Sequence, residues 1–191
     1  MARQSLRDRL LESGVQTLHF RGFGASSVRD ITAAAGVPLG TFTNHFASKE
    51  HFALAVLDRY FERLGPRTEA TLANEALSPV ARLEAYFDVI EEAFANADWR
   101  YGCLIPNLAL ELSEHSAMVR ERLLEVLAEQ RGQFAAALAS AGQRLGDGPA
   151  DAVDTAGVLQ AAWHGTLLQM KVERGAEPLR RFRRVLAHLL G

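Results

Sequence analysis

The chain has 191 residues, 48% apolar and 23% charged with a net charge of −2, enough for one large domain or a small one docked on a larger one. No apolar run nears the roughly 20 residues of a membrane span, and the opening MARQSLRDRL carries no apolar signal core, so a cytoplasmic protein is expected. A single cysteine, Cys103, excludes a disulfide framework and a multi-thiolate centre, and six histidines without HxH or HExxH spacing predict neither metal nor cofactor.

The first helix is expected over residues 4–21, with Leu11, Val15 and Leu18 inward, Gly22 closing it and Phe23 as the following anchor. Residues 27–49, SVRDITAAAGVPLGTFTNHFASK, read as two short helices joined by a tight turn, then the opening of another. Ser27 and Asp30 have the spacing of a capping box, in which a hydroxyl accepts one orphan backbone N–H and a carboxylate another. Val28, Ile31 and Ala35 give this helix one buried stripe, Gly36 supplies a left-handed end, and Pro38 presets the next start. In the second short helix Phe42 and Phe46 face inward, leaving Leu39, Gly40, Thr41, Thr43, Asn44 and His45 outward. Such a face of small hydrogen-bonding groups suits the base edges of a DNA major groove, and the pair reads as a helix-turn-helix.

Ser48 caps a fourth helix running through Phe52, Val56 and Tyr60, which Gly65-Pro66 is expected to kink or end. Ser78-Pro79 starts a fifth, with Leu83, Phe87, Ile90 and Phe94 as its stripe to about residue 97. A short helix is predicted after Pro106, over 107–112, and Ser116 opens a longer one with Val119, Leu123, Leu127 and Phe134 inward. Residues 142–149 read as a loop. A long helix over 150–173 has almost no charge in its middle, so it needs cover on both faces. The last, over 178–190, aligns Leu179, Phe182, Leu186 and Leu189 away from Arg180, Arg181, Arg183 and Arg184. No alternating strand pattern occurs, so the fold class is all-α with about nine helices. The last two helices from each of two chains would form a two-fold four-helix bundle; a monomer whose terminal helices wrap its own core is the alternative.

Charge is unevenly spread. Residues 1–65 hold eight Lys and Arg against six Asp and Glu, a balance of +2 that leaves −4 for the remainder. That fits a DNA-facing end, although solvated helix faces give similar imbalances.

The stretch LLESGVQTLHFRGFGASSVRDITAAAGVPLGTFTNHFASKEHFALAVL resembles the DNA-binding domain of the TetR family of bacterial transcription regulators, in motif order and without gaps. The resemblance implies a three-helix head over residues 1–48 and a larger helical domain over 49–191 that binds an effector and dimerises through the last two helices. It also implies a repressor on a near-palindromic double-stranded operator, with half-sites about one helical turn (roughly 34–36 Å) apart. Carried onto this chain, Ser27 would receive a phosphate at a helix start and Arg29 would reach a base or phosphate. Gly40 would let the backbone approach, and Lys49 would pair a phosphate. The family usually has Tyr where this chain has Thr43 and often Lys where it has Leu39. Fewer phosphate contacts and a shallower salt dependence follow.

A small-molecule site within the later helices is a further implication of the resemblance. Candidates combining apolar faces with polar or reactive groups are Tyr86, Phe87, Ile90, Cys103, Asn107, Gln160, Trp163 and His164. Each aromatic, and His164, could instead be plain core. Cys103 in YGCLIPNLALEL resembles a TetR subgroup containing sensors of electrophiles. A helix N-terminus would favour its thiolate, whereas a small buried hydrophobe is the preferred reading. A helix-turn-helix protein without an effector, acting on DNA architecture or division, is another alternative. No Ser/His/Asp set, phosphate-cradling loop or metal spacing supports an enzyme, so no catalytic residue is assigned, and Glu91-Glu92 and Glu111 with Glu114 read as solvated helix faces.

Overall fold

The computed structural model describes residues 4–139 and 152–190 of the chain. Among these residues it contains nine helices and no strand: α1 (Leu6–Arg21), α2 (Val28–Ala35), α3 (Gly40–His45), α4 (Lys49–Ala70), α5 (Pro79–Asn96), α6 (Leu104–Leu112), α7 (Ala117–Ala139), α8 (Ala152–Glu173) and α9 (Glu177–Leu190). The expected loop at 142–149, the first two residues of the 150–173 helix and the side chain of Leu189 lie outside the described set. No helix among the described residues is long and apolar enough to cross a membrane.

The start and stop signals act as their chemistry dictates. Ser5, Ser27 and Ser78 cap α1, α2 and α5 by accepting the amide N–H three residues on, and Asp30 completes the box on α2. Ser48 and Ser116 do the same for His51 and Val119. Gly36 closes α2 in the left-handed region, at φ 62°.

Two boundaries differ from expectation. α4 does not end at Pro66 but continues to Ala70. Its buried side runs on across the proline through Leu64, Thr68 and Leu72, and that burial holds the helix despite one missing donor. α6 begins at Leu104 rather than after Pro106. Pro106 is its third residue, where a backbone N–H has no intrahelical acceptor, so the proline removes nothing. On α7 the buried stripe runs through Val119, Leu123, Val126, Gln130, Phe134 and Ala137, with Leu127 only half-buried.

The chain divides into two compact units. One runs to Arg63 and resumes over Cys103–Leu124; the other takes Leu64–Gly102 and the residues from Glu125 onward. In the first, Leu10, Leu11, Leu18, Ile31, Phe42, Phe52, Val56 and Leu57 form the core. Phe42, Phe46 and Phe52 make a triangle with ring centres 4.9–5.5 Å apart. A side chain at Gly14 would meet the Phe52 ring at 2.4 Å, so glycine there is the condition for α1 and α4 to touch. In the second unit, Tyr86 and Phe87 of α5, Phe134 of α7, Trp163 of α8 and Phe182 of α9 form one aromatic core.

Candidate nucleic-acid interface and effector core

The aromatic triangle fixes which way α3 faces. With Phe42 and Phe46 buried, Leu39, Gly40, Thr43, Asn44 and His45 are exposed together. Thr41 is not among them: it is 8% exposed, contrary to the outward placement expected from spacing. It lies on the flank of the Phe42–Phe46 stripe in the first turn, and its short side chain does not clear its neighbours. Thr43 donates its hydroxyl to the Gly40 carbonyl at 3.1 Å, while Asn44 makes no side-chain bond among the described residues. A Cβ at Gly40 would meet nothing within 4 Å, so nothing within the chain demands glycine there.

At the start of α2 the box consumes more of Ser27 than the sequence suggested. The Ser27 hydroxyl donates to Asp30 and accepts from the Asp30 amide, and the Ser27 amide donates to Asp30 as well. These bonds from Ser27, followed by the charges of Arg21 and Arg29, hold the Asp30 carboxyl below its usual range. The remaining donors of this helix end are the N–H groups of Val28 and Arg29. The Arg29 side chain is exposed and forms no ion pair among the described residues. Lys49 places its Nζ 4.0 Å from the centre of the Phe23 ring.

Several groups brace this head, among them Glu111, which is half-buried and bonded rather than part of the solvated helix face expected from the sequence. Arg9 of α1 donates to the carbonyls of Ala35 and Gly36, both at 2.8 Å, capping the end of α2 at the turn into α3. Arg59 of α4 pairs with Asp8 at 2.8 Å and Glu12 at 2.9 Å, and Arg63 also pairs with Glu12. The Ser5 hydroxyl, and then Arg59, hold the Asp8 carboxyl below its usual range. Glu111 of α6 accepts the backbone N–H groups of Phe23 at 3.0 Å and Gly24 at 2.6 Å. Arginines at such positions carry no signature in one sequence, because any amphipathic helix displays them.

Of the effector candidates, Tyr86, Phe87, Ile90, Gln160, Trp163 and His164 fall in the second compact unit, whereas Cys103 and Asn107 belong to the first. Gln160 donates to Gln130 Oε1 and to the Leu127 carbonyl, each at 2.9 Å. His164 Nε2 lies 3.0 Å from the same Gln130 oxygen. That oxygen is an acceptor, so Nε2 carries the proton. Burial pushes the imidazole down to about 4, so the trio stays uncharged at neutral pH. Gln130, half of this polar link, went unnoticed in the sequence because it sits in an otherwise apolar stripe. Arg183 of α9 pairs with Glu84, Asp88 and Glu91 of α5 and lies over Phe87.

Cys103 is the N-cap of α6, yet it is 6% exposed and contacts Tyr60 Oη at 3.8 Å. Burial pushes its thiol up to about 11, and the bonds from Ile105 and Tyr60 only partly oppose this. Desolvation outweighs the helix end, so the thiolate favoured by the macrodipole is not the resting state. Among the described residues no cluster of His, Cys, Asp and Glu could hold a metal ion.

Residues 10–56 match the model of bacterial regulatory proteins of the tetR family, and residues 79–185 that of the LmrA/YxaF-like transcriptional regulator C-terminal domain. The chain is 40% identical over 192 residues to the HTH-type transcriptional repressor DhaR of Mycobacterium sp. (strain GP1), covering all of this chain and 94% of that one. It is 32% identical to the transcriptional regulator AcuR of Cereibacter sphaeroides, over 92% of this chain and 80% of that protein. The crystal structure of regulatory protein TetR from Rhodobacter sphaeroides superposes with a TM-score of 0.89 at 28% identity, covering 97% of this chain and 99% of that one. An exposed α3 on a braced three-helix head, a second helical unit with its own core, and family models matching both regions lead to one conclusion: the chain belongs to the TetR family of DNA-binding transcriptional regulators, which are not enzymes.

Proposed function

We propose that the chain is a repressor held on a near-palindromic operator until a small molecule releases it. The observation that carries this reading is the exposed α3 face, with Leu39, Gly40, Thr43, Asn44 and His45 side by side above a rigid aromatic triangle. In this reading α3 enters the major groove and Gly40 admits the sugar-phosphate backbone. Arg29 reaches a guanine edge or phosphate, and the free N–H groups at the start of α2, beside Ser27, receive a phosphate. Lys49 meets the next phosphate, its ammonium already held on this side by the Phe23 ring. Thr41, being buried, supports this face from beneath.

Residues 1–48 then form the DNA-contacting head, and residues 49–191 bind the effector and dimerise through α8 and α9. The effector lies against Tyr86, Phe87, Ile90, Gln160, Trp163 and His164, where aromatic surface and the neutral Gln130–Gln160–His164 link supply shape and a few directed polar atoms. Effector and operator favour different conformations, so each weakens the other reciprocally. The protein works in the cytoplasm, beside the chromosome. The test is a footprint on the DNA upstream of its own gene, together with mass spectrometry of the purified protein for a co-purified ligand. A symmetric footprint lost on adding that ligand is expected; no footprint there or at any near-palindrome sinks the proposal.

A further inference from the structure

The motif YGCLIPNLALEL draws attention to its cysteine, but the structure puts its glutamate to use. We infer that Glu111 is a positioning residue for DNA recognition, tying α6 to the turn that launches α2. The inference rests on the reading that α3 meets DNA.

Four observations carry it. Glu111 accepts two consecutive backbone N–H groups, those of Phe23 and Gly24, one with each carboxylate oxygen. It pairs with no cation among the described residues, so its charge is spent on the turn. Charge-assisted bonds of this kind are stronger than neutral ones. Second, the turn is shaped to receive the carboxylate. Gly22 has φ +85°, which strains any other L-residue, and a Cβ there would lie 2.6 Å from Glu111 Oε1. Third, the turn passes directly into the recognition machinery. Ser26 closes it by donating to the Gly22 carbonyl, Ser27 caps α2, and Lys49 of α4 lies over the Phe23 ring.

Fourth, the topology makes this contact consequential. α6 lies in the same compact unit as α1–α3, although residues 64–102 separate them in sequence. The chain leaves that unit after Arg63, returns at Cys103 and leaves again after Leu124. Two of these three crossings bound the segment that carries Glu111. Glu111 is one of the ties that hold this returning segment to the rest of its unit, alongside the Cys103–Tyr60 contact and the Arg122–Asp58 ion pair. Losing the carboxylate frees the turn, and α2 with α3 then samples more than one orientation. A small angular error at the start of α2 becomes a misplaced base contact at α3.

The experiment compares full-length wild type and Glu111→Gln on a duplex from the DNA upstream of the gene and on a scrambled duplex, by fluorescence anisotropy. Amide exchange is followed at Phe23 and Gly24. Gln keeps the volume but turns one acceptor into a donor facing an N–H. Glu111→Gln should lose about tenfold in affinity for its own duplex, hold its affinity for the scrambled one, and exchange faster at both amides. A role in stability alone would lower the active fraction equally on both duplexes and leave their affinity ratio intact; that result overturns the inference while the DNA reading stands. Wild type with no preference for its own duplex overturns both. Should Glu111→Gln fail to fold, wild-type exchange decides: both amides should slow further on the upstream duplex than on the scrambled one, and equal rates overturn the inference.

Discussion

Arg29 is exposed and Lys49 half-buried, and their surroundings suit them to different work. Arg29 is exposed and free of ion pairs in the first turn of α2, so its planar fork can address a base edge. Lys49 is a point charge moored on an aromatic face, suited to a phosphate. Arg29→Ala and Lys49→Ala should each weaken operator binding by about 1–3 kcal/mol, and only the first should relax base preference. A gel-shift series over single-base operator variants measures both effects. Gly40 yields a sharper test, because nothing in the chain needs a glycine there. Gly40→Ala should leave stability unchanged or raise it by up to about 1 kcal/mol, since alanine loses less backbone entropy in a helix. The same change should weaken operator binding about tenfold if DNA backbone approaches that spot. Thermal melting beside anisotropy separates the two, and an unaltered affinity places the DNA elsewhere.

Between elements, the burial of His164 where α8 meets α7 makes stability depend on pH. His164 ordinarily titrates near 6.5 but is pushed down to about 4 by burial. Above 6.5 it is neutral whether folded or unfolded, and its contribution is whole. As pH falls from 6.5 toward 4 the unfolded chain takes up the proton first, so stability is lost over that window. The full loss is on the order of 3 kcal/mol. Urea midpoints at pH 7 and pH 5 should drop less in His164→Gln than in wild type; equal drops refute the assignment. The element boundaries were legible wherever one local signal decides them: Ser27 with Asp30, Gly36, and Ser78-Pro79 behaved as their spacing implied. They were misjudged where proline competes with burial or position. Pro66 lies under a buried stripe that continues past it, and Pro106 falls in a first turn whose donors are spare. The exposed face of α3 followed from Phe42 and Phe46, except at Thr41, because a period of 3.6 does not reveal what covers a helix flank. Arg9 carries no signal in the sequence and Glu111 reads there as a solvated face for another reason: each bonds backbone 26 or more residues away, and no periodicity encodes such a partner.

For the whole molecule, TetR-family regulators act as dimers on operator DNA, and the contact proposed through α8 and α9 is testable on the outer side of α8. Its inner side buries Ala156, Leu159, Gln160, Trp163, Leu167 and Met170. On its other side Val158, Leu168 and Val172 are exposed, at 73%, 54% and 74%, with Ala161 and Ala162 exposed between them. With Gly165 between Ala161 and Leu168, these positions follow three- and four-residue spacing, so they form one stripe. The small residues let a second helix approach closely while the larger ones interlock with it. Val185 of α9, 60% exposed, adds to the apolar surface. In a two-fold contact each such side chain meets its counterpart's surroundings, so one introduced charge is introduced twice. Leu168→Glu with Val172→Glu leaves the protomer core untouched, because both side chains already face outward. Light scattering at micromolar concentration should then give a monomer of about 21 kDa with unchanged helical circular dichroism. Operator affinity should fall by a hundredfold or more, since a second head no longer rebinds at high effective concentration. A variant that remains dimeric would move the interface off α8, and one that is monomeric yet binds the operator undiminished would remove the need for paired heads.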